Sequence, residues 1–138
     1  MSDIQNLFDV AGRAMSAQMT RLNTVASNLA NADSVSTNAE GAYRPMRPVF
    51  AAVYADRIDD PGLAGVDVTE IAALPRTPAR VYRPDHPSAD QEGFVYQSTV
   101  NPDEEMVEML EASRQYQNNL EVVSTVRELM ARTVSMGR

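Results

Sequence analysis

Apolar side chains recur at the start of the chain in alternating steps of four and three: Ile4, Phe8, Ala11, Met15, Leu22, Val25, Leu29 and Ala32, with Gln18 as the polar member of the series. This is a seam held for about four heptads, the pattern of a helix that packs lengthwise along another helix. No proline interrupts Ile4–Ala32, and the single Gly12 weakens the helix without ending it. At 1.5 Å per residue the predicted helix is about 43 Å long, a rod. Asn31 is expected to close it in the left-handed conformation. The other faces carry Gln5, Asn6, Ser16, Asn23, Ser27 and Asn28, with alanines between them and few charges. A solvated helix face normally carries acid–base pairs, so this surface suits contact with other chains. Burying the seam alone does not offset the entropy of ordering so long a segment, which is therefore expected to fold only against a partner.

A second helical pattern closes the chain. Asn101-Pro102-Asp103-Glu104 reads as a helix start, with Asn as N-cap, Pro at the first position and Glu at the third. Its predicted seam is Met106, Met109, Ser113, Tyr116, Leu120 and Val123, drifting to Val126, Met130 and Val134, and the helix is expected to run to about Ser135. Glu104, Glu105, Glu108 and Glu111 lie near its start and Arg127 and Arg132 near its end, which complements the helix dipole and predicts a solvated acidic face.

Between the two lies a stretch with strand periodicity. Asp33–Gly41 reads as a polar loop, and Tyr43–Pro48 as extended backbone, since residues before proline are pushed out of the α region. Strands are predicted at Val49–Tyr54, Gly65–Ile71, Arg80–Tyr82 and Phe94–Tyr96, with an acidic Pro/Gly loop at Asp56–Gly65. Ile71 falls out of step with the alternation before it, so the second strand is expected to end there. Two prolines stiffen the loop Arg83–Pro87. The fold class is therefore α+β: two long terminal helices packing as a coiled-coil-like pair, with a small β-rich insert between them. The predicted boundaries are residues 1–40 for the first helix and its loop, 41–100 for the insert and 101–138 for the last helix.

Composition narrows the function. The net charge of −7 leaves nothing to neutralise phosphates, which excludes nucleic acid as a partner. All 12 basic residues are arginine, the better interface cation, although codon bias gives the same result. Zero cysteines exclude a disulfide framework and thiolate chemistry. No basic segment followed by an apolar run opens the chain, and no apolar run is long enough to span a membrane. By composition alone the protein belongs in the cytoplasm. Neither helix has the basic polar face of a membrane-surface helix, so no direct membrane insertion is expected.

Candidate chemistry is sparse. His86 sits between prolines, with Asp85 and Asp90 the only nearby partners for a metal or for catalysis, and a turn-stabilising role is expected. No nucleophile triad, phosphate loop or zinc motif is present, and neither an enzymatic role nor a cofactor or metal is expected. The methionines Met15, Met19, Met106, Met109, Met130 and Met136 fill a helical core or adapt to irregular neighbours. Two rival classes remain at this point: a self-contained helical module that serves secretion, and an enzyme built on the acidic loop. The latter needs a pocket that so small an insert can hardly form.

Val25-Ala26-Ser27-Asn28-Leu29-Ala30-Asn31-Ala32 resembles the motif that ends the first helix of the flagellar axial proteins, the rod, hook and hook-associated family. Glu105-Met106-Val107 with Ala112-Ser113-Arg114-Gln115-Tyr116 and Asn119 resembles that family's last helix. Val81-Tyr82-Arg83-Pro84-Asp85-His86-Pro87-Ser88-Ala89-Asp90 with Gly93-Phe94-Val95-Tyr96 is similar to the members that form the proximal rod. The resemblance implies an inner helical domain that packs on equivalent domains of neighbours in a tube, with the insert facing outward. It implies a structural subunit that transmits torque and encloses an export channel, in the periplasmic part of the basal body. The implied partners are other copies of the chain, other rod and basal-body proteins, and a type III export apparatus that leaves the N-terminus uncleaved; this replaces the cytoplasmic placement. The residues expected to carry assembly are Phe8, Met15, Leu22, Val25, Asn28, Leu29 and Asn31 on the first helix, and Met106, Leu110, Tyr116, Leu120, Val123 and Met130 on the second. Asn28 and Asn31 are expected to bind backbone at the helix end and fix the following loop.

Overall fold

The computed structural model describes residues 2–54 and 64–137. Its elements are α1 (Ser2–Ala30), β1 (Val35–Ser36), β2 (Met46–Tyr54), β3 (Ala64–Ala73), β4 (Arg80–Tyr82), β5 (Phe94–Gln97) and α2 (Pro102–Met136). The α+β architecture expected from the sequence is present: two long helices flank a small antiparallel insert.

Contacts between Asn28 and Glu105, and between Arg21 and Glu108, make α1 and α2 antiparallel neighbours. Ala11, Val25 and Ala112 are buried, small side chains of the kind that lets helices pack closely, while buried Ala17 lines a cavity with Val66 and Val68 of β3. Ile4, Phe8, Met15, Leu22 and Leu29 are half-buried along α1. On α2 the inward series is Glu105, Met109, Ala112, Tyr116, Asn119 and Val123, again in steps of four and three. The predicted seam shares Met109, Tyr116 and Val123 with this series and departs from it at Met106, Ser113 and Leu120. Met106 and Leu120 stand outside, because each lies one residue, a rotation of 100°, past the inward Glu105 and Asn119.

The helix ends follow local chemistry. Asn101 accepts from the backbone N–H of Asp103 at 3.0 Å, with Pro102 as the first helical residue, as its sequence predicts. At the end of α1, the Asn31 N–H donates to Ser27 and Asn28 carbonyls, and its side-chain amide donates to Ser27 O at 2.8 Å. Among the described residues no non-glycine has positive φ, so Asn31 closes the helix in a right-handed turn and not in the left-handed conformation.

The insert comprises two sheets. β2 and β3 form a hairpin in register from Met46↔Ala73 to Tyr54↔Ala64, packed lengthwise on α1, where Arg13 pairs with Asp67 at 2.8 Å. The predicted loop residues Asp56 to Leu63 lie outside the described residues, while Gly65 belongs to β3. The strand does not end at Ile71. Val49 pairs with Glu70 and Phe50 with Val68, so Thr69 is an extra residue, a β-bulge. The bulge explains the broken alternation: it returns Ile71 to the face of Val68, since their partners Pro48 and Phe50 are two residues apart. β2 begins earlier than predicted, at Met46, and carries Pro48 within it. The second sheet has the order β1-β5-β4, and β1 falls in the segment read as polar loop. Val95 at its centre is wholly buried.

The β4–β5 connection is tightly tied. Asp90 accepts from Glu92 and Phe94 N–H groups, and His86 Nδ1 accepts from Ser88 N at 3.0 Å, the turn role expected for it. Those backbone hydrogen bonds, the one from Phe94 first, hold the Asp90 carboxyl below its usual range. Gly93 has φ +83°, and a Cβ there would meet the Tyr82 ring at 2.9 Å, so this position needs glycine.

Candidate functional site

The polar centre of the molecule lies where the end of α1, the start of α2 and the start of β2 converge. Glu105 and Asn28 have no exposed surface, and Val25 beside them is also buried. Arg47 from β2 grips the Glu105 carboxylate in a fork, Nη1 to Oε2 at 2.9 Å and Nη2 to Oε1 at 2.6 Å. The Asn28 amide donates to Glu105 Oε2 at 3.0 Å. It also donates to Met46 O at 2.9 Å, while its Oδ1 accepts from Met46 N at 2.9 Å and from Tyr43 Oη at 3.0 Å. Asn28 thus pairs with the Met46 backbone as a neighbouring strand would, and all its hydrogen-bonding capacity is used. This side chain stitches the end of α1 to the start of β2.

Arginines from three further segments complete the arrangement around the first turns of α2. Arg76 Nη2 donates to both Glu104 oxygens at 2.8 and 2.9 Å, and its Nη1 reaches Thr99 O. Arg21 on α1 donates to Glu108 through Nε at 3.0 Å and Nη2 at 2.5 Å, with Glu111 at 3.5 Å. Arg44 holds Arg76 O. The acidic run is therefore not a solvated face: it is the anchor onto which α1, β2 and the segment after β3 are clamped. Glu104 is engaged by Arg76 instead of reaching back to its own N-cap. The hydrogen bond from Arg76 holds the Glu104 carboxyl below its usual range and the Arg76 guanidinium above its own. Burial, with the Glu105 charge second, pushes the Tyr43 hydroxyl up.

What this centre fixes is geometry. The Arg47–Glu105 fork is a complete bidentate ion pair, the shape for which arginine is suited and lysine is not. A buried, fully satisfied polar cluster fixes one register of α1 on α2, because a one-turn slip would leave Glu105 and Asn28 buried without partners.

The residues expected to carry assembly divide into three groups. Val25 and Asn28 are buried inside the molecule. Phe8, Met15, Leu22, Leu29, Asn31, Tyr116, Val123 and Met130 are half-buried, the helix residues among them along the helix pair. Met106, Leu110 and Leu120 are exposed. Asn28 does bind backbone, but on β2 and not in the loop that follows α1. Sequence reasoning missed Glu105, Arg47, Tyr43 and Arg21. One signal was available: stepping back from Val123 through Asn119, Tyr116, Ala112 and Met109 lands on Glu105, a single charge at the head of a seam.

Comparison with known proteins places this arrangement. Residues 8–36 match the family described as "Flagella basal body rod protein", and residues 91–136 match "Flagellar basal body rod FlgEFG protein C-terminal". The chain is similar to the flagellar basal-body rod protein FlgC of Escherichia coli O6:H1, at 42% identity over 96% of this chain and 97% of that protein. The FlgC proteins of Salmonella typhimurium and Aquifex aeolicus are 41% and 39% identical, each over 96% of this chain and at least 96% of the relative.

Proposed function

The chain belongs to the FlgC family of flagellar basal-body rod proteins, and from that premise we propose that it is a structural subunit of the proximal rod. In this reading copies assemble, with other rod and basal-body proteins, into a tube in the periplasmic space that transmits torque and encloses the export channel. The chain reaches its place through the flagellar export apparatus with its N-terminus uncleaved. No cofactor, metal or catalytic step enters this role. The observation that carries it is the form of the molecule: the two ends of the chain are clamped into one antiparallel helical unit, while α2 keeps large apolar side chains such as Leu110, Leu129 and Met136 in the open. Apolar surface of this kind on a unit with a fixed internal register marks contacts to be made with other chains.

The inward residues Val25, Asn28, Tyr116 and Val123 build the unit, and the outward Met106, Leu110 and Leu120 meet neighbours. The reading is tested by removing the gene from a motile host. Loss of swimming, with basal bodies lacking a complete rod and both restored by the intact chain, is expected. A host that swims normally without the chain would overturn it. Mass spectrometry of purified basal bodies checks export: the N-terminal peptide should be recovered intact.

A further inference from the structure

The outer edge of β2 is an open ladder whose first rung is already made. In an antiparallel pair, successive residues direct their N–H and C=O groups alternately at the partner strand and away from it. Pro45 O accepts from Leu74 N across the hairpin, and the next residue, Met46, turns both backbone groups outward to the Asn28 side chain. The bulge lies on β3, so the alternation continues along β2. Pro48, Phe50, Ala52 and Tyr54 face outward, while Val49, Ala51 and Val53 face β3. Among the described residues no hydrogen bond from outside the hairpin reaches the backbone of residues 48–54.

Folded proteins blunt such edges with a helix, a charge or a proline. β3 has α1 beside it, where Ala17 and Thr20 line a groove with Val66 and Val68, and it carries Asp67 and Glu70. β2 is blunted at its start, by Asn28 at Met46 and by Pro48, which has no N–H to offer. From there Val49-Phe50-Ala51-Ala52-Val53-Tyr54 is uncharged and rich in β-branched and aromatic residues. It is also largely exposed, Phe50 by 39% and Tyr54 by 74%. A segment of this composition on a free edge is a template for another strand.

The edge is complementary to itself. When two β2 edges pair antiparallel, outward residues meet outward residues. Centring the pair on Ala52 is the one register that matches Phe50, Ala52 and Tyr54 of one copy with the same three of another. It sets Ala52 opposite Ala52 and Phe50 opposite Tyr54, two aromatic cross-strand pairs on one face with small alanines between them. On the other face Ala51 meets Val53. A second copy brings a net charge of −7, and this stretch receives it without setting like charges opposite each other. We propose that β2 pairs with β2 of a second copy, antiparallel about Ala52, and joins the two hairpins into one sheet. A two-fold contact closes on itself and cannot propagate. The pairing therefore belongs to the chain outside the tube and does not rest on the rod role. So short a ladder falls below the size of permanent interfaces, which makes the pair weak and reversible.

Amide exchange with water, followed by NMR on the purified full-length chain, reads the edge directly. In dilute solution the outward N–H groups of Phe50, Ala52 and Tyr54 should exchange fast, while those of Ala51 and Val53 stay slow. Concentrating the protein should slow the outward three by at least about twofold; rates that do not change there would overturn the proposal. The chain has no cysteine, so Ala52→Cys places the only thiol of each copy at the centre of the pair. A short bismaleimide should join it into a covalent dimer, because opposed residues of a bonded pair lie about 5.5 Å apart at Cα. Tyr82→Cys, exposed on the other sheet, should stay monomeric. Equal yields from the two variants, or no dimer from Ala52→Cys, would count against the contact. Ala52→Pro removes an outward N–H, as Pro48 already does, so the hairpin and the unfolding temperature should be kept. The slowing at Phe50 and Tyr54 should then be lost, and slowing that persists would show the register to be wrong. These outcomes need no flagellum, so failure here leaves the gene-removal result standing, and failure there leaves these results standing.

Discussion

Replacing Glu105 by alanine is the most severe single test of the internal clamp. The change removes both arms of the Arg47 fork and one acceptor of the Asn28 amide, and it leaves a guanidinium whose side chain is only 19% exposed. Deleting one partner of a buried pair costs about 3–5 kcal/mol, because the surviving charge stays desolvated without compensation. Two features set the expected value at the low end, about 3 kcal/mol: Arg47 reaches some solvent, and Glu104 Oε1 lies 3.6 Å from its Nη2 and takes up part of the charge. The measurement is urea unfolding followed by helical circular dichroism, with the slope compared so that a change in midpoint reads as a change in stability. The reasoning also predicts a rescue. Arg47→Met with Glu105→Leu removes both charges and fills the space with apolar atoms, so the pair should be less unstable than the sum of the two single changes, its residual loss of about 1–2 kcal/mol being the Asn28 N–H left without an acceptor. A Glu105→Ala loss below about 1 kcal/mol at unchanged slope would refute the argument. So would a double variant as unstable as the sum of its parts, since the coupling energy would then be absent.

Asn28→Ala leaves the Met46 N–H and C=O and the Tyr43 hydroxyl without their partner, and should cost at least about 2 kcal/mol in the same unfolding assay. In cells it should impair swimming while export of the chain continues; normal swimming would contradict the role given to Asn28. Glu104 sits below its usual range in the folded state, so its contribution is present above the unfolded value near 4.3 and is lost as pH falls through the folded one. Glu104→Gln should flatten this acid limb of a stability–pH profile, and an unchanged limb would remove Arg76–Glu104 as its cause. Tyr43 has the opposite sign: raised in the folded state, it contributes below about pH 10 and loses that contribution as pH rises through the folded value, a loss Tyr43→Phe should abolish. Gly93→Ala forces a left-handed alanine against the Tyr82 ring and should cost about 1–2 kcal/mol, with the Tyr82 ring resonances shifted in the NMR spectrum.

How far the sequence revealed this molecule depended on which interactions were local. The α1 seam, the N-cap at Asn101 and strands β4 and β5 were legible because each is written in consecutive residues: a period, a capping set, a pair of turn prolines. β1 was not, since Val35 and Ser36 become a strand only when Gln97 and Tyr96 arrive from sixty residues away. The bulge at Thr69 shows in the sequence as a break in alternation and reads there as an end, because a one-residue insertion and a strand terminus look alike until the partner strand is known. The acidic start of α2 shows the same limit. Dipole complementarity is local and assigns every glutamate there to solvent. The tertiary fact that three arginines from distant segments converge on that turn overrides it, and Arg47 and Arg76 are not marked in the sequence by any spacing from Glu105 or Glu104. Of the candidate site, Asn28 stood out by its motif while its partners did not.

The clamp also bears on how a long helix pair is held together with so small a core. All its ties lie toward one end: Asn28 with Glu105 and Arg21 with Glu108 join the last turns of α1 to the first turns of α2. Toward the opposite end Ala11 is buried while Ile4, Phe8, Met15 and Met130 are half-buried, and the last turns of α2 are exposed, Val134 by 70% and Met136 by 81%. Stability is therefore graded along the rod, since local opening is easiest where few apolar contacts close over the backbone. Disorder of the whole first helix in an isolated chain, which its seam alone suggests, is then replaced by a sharper expectation. The segment from Arg21 to Asn28 should be held with the hairpin and the start of α2, because opening it exposes the buried Glu105–Arg47 pair. The far end of the pair should gain its order from neighbours. Hydrogen exchange read along the isolated chain separates these: slow amides at residues 21–28 and 105–112 with fast ones beyond 126 fit the gradient, and uniform rates along α2 would show that the clamp does not set it.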